Sequence, residues 1–123
     1  KKSIKALMKQ KFLLIAGDQD AHQDGEFMKF FDRPASTPLG PVKLAQRSNS
    51  YIVPTYLVRE GLNNYRLIVK EPLEIDKDAS LEEQREVLQH LTTSLENAIR
   101  DYPSQWLWVH RRWKTKIEDG KDD

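Results

Sequence analysis

Residues 30–45 read FFDRPASTPLGPVKLA, and the point at which a helix begins in this stretch decides the architecture. Ser36 or Thr37 can cap a helix that has Pro38 in its first turn, where a missing N–H does no harm. Pro41 still fits that turn, and Val42, Leu44 and Ala45 supply a packing side. Two apolar runs flank the stretch. FLLIAG (residues 12–17) is bounded by polar residues and reads as a strand buried on both faces, as in a parallel sheet. YIVPTYLVR (residues 51–59) reads as the second strand, with Pro54 marking an edge or a bulge. Strand, helix, strand predicts a right-handed crossover.

Working outward, Ile4, Leu7 and Met8 recur at helical spacing opposite lysines, which predicts an amphipathic helix over residues 1–10. Residues 18–32 read as a long acidic loop. EGLNN (60–64) is a turn, and YRLIVKEPLEI (65–75) pairs back as an antiparallel hairpin. Ser80 and Glu83 form a capping box ahead of a long helix with Leu88, Leu91, Leu95 and Ile99 on its buried stripe, ending before Pro103. SQWLWVHRRWK (104–114) is a short aromatic and basic element. Read as a helix, it puts Trp106, Val109, His110 and Trp113 on one face. The expected fold class is α/β, a partial, mixed, mostly parallel sheet flanked by helices. One domain covers residues 1–115, and residues 116–123 form a charged, disordered tail. So few strands suggest part of a larger sheet.

Composition narrows the function. The formal net charge is +1, so there is no overall basic field to attract nucleic acid, and any anion site must be local. The absence of cysteine removes disulfides, thiolate catalysis and cysteine zinc sites. No apolar run is long enough to span a membrane, and the chain reads as soluble.

Three groups of residues could carry chemistry. Asp18 and Asp20 follow the first apolar run, where ligands collect in open α/β sheets. They read first as loop caps, then as a carboxylate pair or, with His22 nearby, as hard oxygen ligands for magnesium or manganese. Arg33, Ser36 and Thr37 surround the expected helix start, where free N–H groups and a guanidinium bind phosphate or carboxylate. The plainer alternative is that Arg33 pairs with Asp32 or Asp20 and Thr37 only caps. Trp106, Trp108, Arg111, Arg112 and Trp113 either close the core or meet an anionic bilayer. No Ser–His–Asp set, phosphate-binding glycine loop, dinucleotide fingerprint or HExxH is present.

Three blocks carry a resemblance: LLIAGDQDAHQDGEFMKFFDRPASTPLGPVKLAQRS (13–48), IVPTYLVRE (52–60) and YPSQWLWVHRRWK (102–114). In order and spacing they resemble the bacterial lipid A biosynthesis acyltransferases, which add lauroyl or myristoyl chains to a lipopolysaccharide precursor in Gram-negative bacteria. Lys29 stands where that family often has proline and Asp32 where it often has glycine, a position whose left-handed backbone aspartate tolerates. The lysine-bearing stretch at Lys11 replaces a glycine pair usual before the strand.

The resemblance implies an acyl carrier protein as donor and a phosphorylated lipid A precursor as acceptor. It also implies work at the cytoplasmic face of the inner membrane, with no cofactor, metal or nucleic acid. Asp18 and Asp20 would shape the cleft floor, while Arg33, Ser36 and Thr37 would hold anionic oxygens of acceptor or carrier. The family acts through a histidine followed five residues later by an acid. Here Phe27 follows His22, Leu95 follows His90 and Thr115 follows His110, so no catalytic residue is assigned. The chain reads as the C-terminal part of such an enzyme, inactive alone. Competing readings are a nucleotide-sugar glycosyltransferase holding manganese on Asp18 and Asp20, and a membrane-surface interaction module.

Overall fold

The computed structural model describes residues 2–117. Its architecture is an α/β mix of helices and two small antiparallel sheets, not a mostly parallel sheet. The stretch FFDRPASTPLGPVKLA (30–45) starts no helix at Ser36 or Thr37. β1 (Glu26–Phe30) and β2 (Arg33–Thr37) pair antiparallel with Phe30 opposite Arg33. Phe31 and Asp32 form the turn, both at positive φ (49° and 57°). That is the backbone of a tight hairpin turn whose twist matches the strands it joins. Asp32 thus occupies the left-handed position that the sequence had flagged.

Ser36 and Thr37 therefore lie in a strand and cap no helix. Pro34 is tolerated because it faces Lys29, whose N–H and C=O turn away from the ladder. Both groups bond the Gln89 side-chain amide instead, at 2.9 Å each. Phe31 N–H likewise donates to Glu96 Oε2 (2.8 Å), so side chains of a later helix cover this sheet edge.

Helix α2 starts only at Gly40 and runs to Ser48, without a side-chain cap at its N-terminus. Pro41 sits in its first turn as expected, and Val42 and Ala45 are buried. Asn49 ends it in the left-handed conformation, its N–H returning to Ala45 O and Gln46 O.

FLLIAG forms no strand, and none of residues 11–17 is buried. A parallel strand buried on both faces needs hydrogen-bonding neighbours on both edges. Here the strands pair into two separate hairpins, and none is left for it. The predicted crossover is absent for the same reason. The predicted first helix is present as α1 (Lys2–Met8), which lies against α2 but buries no side chain.

Where signals were local, the reading holds. β3 (Thr55–Arg59) and β4 (Tyr65–Val69) form the expected antiparallel hairpin, and Pro54 stands just outside it. Helix α3 (Leu81–Asp101) carries the full capping box, Glu83 N–H to Ser80 Oγ and Ser80 N–H to Glu83 Oε2. It ends before Pro103, and at 21 residues it is about 30 Å long, enough to join two cores. One gathers Met28, Leu39, Val42 and Leu88; the other gathers Phe30, Ala35 and Ile99.

After a 3-10 turn at Pro103–Gln105, residues 106–117 run as turns and extended chain, not as the expected helix. Their partners lie on different sides of the segment, so one helical face could not meet them all. The charged tail was read over residues 116–123. Lys116 and Ile117 are exposed, and residues 118–123 lie outside the described residues.

Candidate functional site

The final segment acts as a strap that locks the β1–β2 hairpin. Asp20 is buried, and its carboxylate accepts three protein donors. Thr115 Oγ1 lies at 2.7 Å, the Thr115 N–H at 3.2 Å and the His22 N–H at 2.9 Å. The Asp20 N–H in turn donates to His110 Nε2 (3.0 Å), which leaves the ring proton on Nδ1.

One residue pair further on, Arg112 is 1% exposed. Its Nη1 donates to Ser36 O (2.6 Å) and its Nη2 to Thr37 Oγ1 (2.7 Å). Its guanidinium carbon lies 5.3 Å from the Phe30 ring centroid. Ser36 O also accepts the Ala21 N–H, and Ser36 Oγ donates to His22 O. Gly25 is required here, because a Cβ would overlap Ser36 Oγ and crowd Ala21 and the Thr37 backbone.

Charge in this cluster is held by geometry. Burial works to raise the Asp20 pKa, but the bonds from Thr115 and His22 and the charge of Lys114 outweigh it. The carboxyl is held below its ordinary 3.8. Burial pushes the Arg112 guanidinium down, opposed by the charges of Asp20 and Asp18.

The strap then crosses an aromatic cluster. Trp113 stacks on Phe30 at 5.3 Å between centroids, and its Nε1 donates to Phe30 O (3.3 Å). Trp106 meets Phe30 edge-on at 5.7 Å and Trp108 at 4.8 Å. Such pairs contribute about 1 kcal/mol each beyond their buried area. Trp106 and Trp113 therefore belong to the core, whereas Trp108 is half exposed and Arg111 is exposed.

Beside the clamp runs a groove of about 270 Å³. It is lined by Leu13, Ile15, Leu44 of α2, Leu91 of α3, Ile52 and Tyr56, among others. Its polar lining comprises Asp18, Thr37, Ser50, Thr55, Thr92 and Arg112, together with Tyr51 and Tyr56. The Arg112 Nε–H is buried with no acceptor among the described residues. Sequence reading missed this groove because its walls come from four distant segments.

The predicted site residues are thus divided. Asp18 and Asp20 do not act as a pair: Asp18 lines the groove and Asp20 turns inward. With three protein donors on its carboxylate, two on Oδ1 and one on Oδ2, Asp20 is committed to the fold. Among the described residues no three His, Asp or Glu side chains group as a metal site. Ser36 and Thr37 meet Arg112, not Arg33. Arg33 sits at the opposite end of β2, about 13 Å of strand away. It is exposed there, with its guanidinium carbon 5.1 Å from the Trp113 centroid. His110 and Thr115 were not singled out as site residues, since their partner lies in a different sequence block.

Asp20, the β2 hydroxyls and the strap come from the first and third of the three resembling blocks, and the structure joins those two at one clamp. The family model described as bacterial lipid A biosynthesis acyltransferase matches residues 1–115, and the chain belongs to that family. Two curated relatives are the lipid A biosynthesis palmitoleoyltransferase of Escherichia coli (strain K12) and the lipid A biosynthesis acyltransferase of Shigella flexneri. Each is 28% identical over 114 residues, covering 90% of this chain and 36% of the relative. The chain therefore spans about a third of the length of the curated relatives it matches.

Proposed function

We propose that this chain serves the transfer of a fatty acyl group from an acyl carrier protein to a hydroxyl of a phosphorylated lipid A precursor. The setting is the cytoplasmic face of the inner membrane. One observation carries this reading: a largely apolar groove whose lining also includes Asp18, Thr37 and Arg112. Each methylene taken from water into such a groove contributes about 0.8 kcal/mol. The polar side chains suit the acyl carbonyl or the acceptor hydroxyl.

In this reading residues 1–115 form the C-terminal portion of the acyltransferase α/β domain, and their share is positioning. Asp18 faces the acceptor sugar. Asp20, Ser36 and Thr37 hold the clamp that sets Arg112 at the groove. Arg33 meets anionic oxygens of acceptor or carrier from outside the hairpin. The resemblance implies a general base formed by a histidine with an acid five residues on, and no histidine of this chain has one. The chain by itself turns nothing over.

The test is mass spectrometry of lipid A from a Gram-negative strain lacking its own late acyltransferases and expressing a full-length family enzyme in which this chain replaces the matching segment. One added acyl group is expected. A Leu44→Trp, Leu91→Trp pair that fills the groove abolishes it. Acylation that survives the filled groove would remove the groove from the reaction.

A further inference from the structure

Leu107, Trp108 and Val109 stand at the apex of the strap with 58%, 51% and 84% of their surface exposed. Three consecutive large apolar side chains in water call for a partner. Their presentation is built. Trp108 Nε1 donates to Pro103 O (2.5 Å), Trp108 N–H to Trp106 O (2.9 Å) and His110 N–H to Leu107 O (3.2 Å). The edge of Trp106 braces the Trp108 ring from the core side. A turn so pinned loses little conformational entropy when it is covered.

The surroundings select the partner. Arg111 and Lys114 are exposed on the same strap, and Arg33 lies over the Trp113 ring. None of the three has a carboxylate within salt-bridge distance among the described residues. The nearby acids are already engaged, Asp32 by Lys29 and Glu96 by Arg100. The outer face of the β3–β4 hairpin also exposes Leu57, Leu67 and Val69. Its cations are spent, however, Arg59 on the Gly61 and Leu62 carbonyls and Arg66 on Glu60. Met8, Phe12 and Leu14 are likewise exposed beside lysines with no ion pair among the described residues. The strap differs in that its apolar tip is pinned by hydrogen bonds and backed by Trp106.

We propose that the Leu107–Val109 tip inserts into the headgroup layer of an anionic bilayer while Arg111, Lys114 and Arg33 meet lipid phosphates. Tryptophan suits the headgroup depth, leucine and valine the first acyl carbons, and arginine the phosphate oxygens. Aliphatic side chains at the apex do not stack on bases, which sets nucleic acid aside. The inference rests on the acyl-transfer reading only for why a bilayer is at hand, and its test needs no turnover.

The 123-residue chain is floated with phosphatidylcholine vesicles, and with vesicles in which part of that lipid is replaced by phosphatidylglycerol. Binding to the anionic vesicles alone is expected, with a blue shift of tryptophan emission and release by salt. Leu107→Ser with Val109→Ser lowers binding about tenfold. Arg111→Gln lowers it about fivefold. Both positions of the double variant are exposed, so its thermal unfolding matches the parent. Equal binding by parent and double variant overturns the proposal. So does an absence of binding, including the case where the same side chains capture an acidic acyl carrier protein instead. Loss of lipid A acylation with vesicle binding intact sinks the transfer reading alone.

Discussion

Thr115 reaches across 95 positions of chain to place its hydroxyl 2.7 Å and its amide 3.2 Å from the two carboxylate oxygens of Asp20. Nothing local to either residue demands this. It makes the strap a closing element: Asp20 bonds Thr115, Asp20 N–H bonds His110, and Arg112 between them bonds β2. Breaking one of these contacts leaves the others strained or orphaned.

Thr115→Val keeps the side-chain volume and removes the hydroxyl donor. A loss of about 1–2 kcal/mol in urea unfolding is expected, because the buried Asp20 Oδ1 keeps only the His22 N–H of its two donors. Asp20→Asn should cost a similar amount, and the double variant less than the sum. Strict additivity would show that the two residues are not coupled.

The pH dependence follows from the direction of the Asp20 shift. Its folded pKa lies below the ordinary 3.8, so its contribution is complete above that value and is lost as pH falls through the lower folded value. Acid unfolding of the parent should therefore steepen below about pH 4, and Asp20→Asn should flatten that limb. Identical acid limbs would remove Asp20 from the account.

Arg112→Lys keeps the charge but loses the fork that spans Ser36 O and Thr37 Oγ1. A fall of about 2–4 kcal/mol is expected, read by chemical unfolding, with near-ultraviolet circular dichroism reporting disorder of the tryptophan cluster. Arg112 is buried, so a change below about 0.5 kcal/mol would mean that the guanidinium carries no structural role.

Asp18→Asn tests the groove without breaking a hydrogen bond of the clamp, since no protein hydrogen bond of the Asp18 side chain occurs among the described residues; only its charge acts on Arg112. Stability should move by less than about 0.5 kcal/mol. Lipid A acylation, measured by mass spectrometry in cells, should fall about tenfold or more if Asp18 orients the acceptor through a charged hydrogen bond. Full acylation would move acceptor binding elsewhere.

Much of the fold was legible where the signal was short-ranged. The Ser80–Glu83 box, the stripe through Leu88 and Ile99, and the β3–β4 hairpin each depend on neighbours a few residues away. The stretch from Phe30 to Thr37 misled because hydroxyls before a proline mark helix starts and also suit a strand entering a loop. Its turn hides as well: Phe31 and Asp32 adopt left-handed backbone without a glycine to announce it. FLLIAG carries a strand's composition, but composition cannot supply the missing neighbours. Asp20, Ser36, Thr37 and Arg112 all stood among the residues singled out in the sequence, and the structure gives them partners other than those expected. Arg112 had been grouped with tryptophans, and it is Arg112, not Arg33, that reaches the β2 hydroxyls. Contacts across 75 residues or more leave no trace in local periodicity.

Synthesis runs from the amino end, so the hairpin exists on the ribosome well before its lock. Until Thr115 emerges from the exit tunnel, Asp20 has only the neighbouring His22 amide, and the Phe30 ring lacks its tryptophan lid. Nascent chains halted short of that residue should be open to protease and dependent on chaperones, with native order arriving late and in one step.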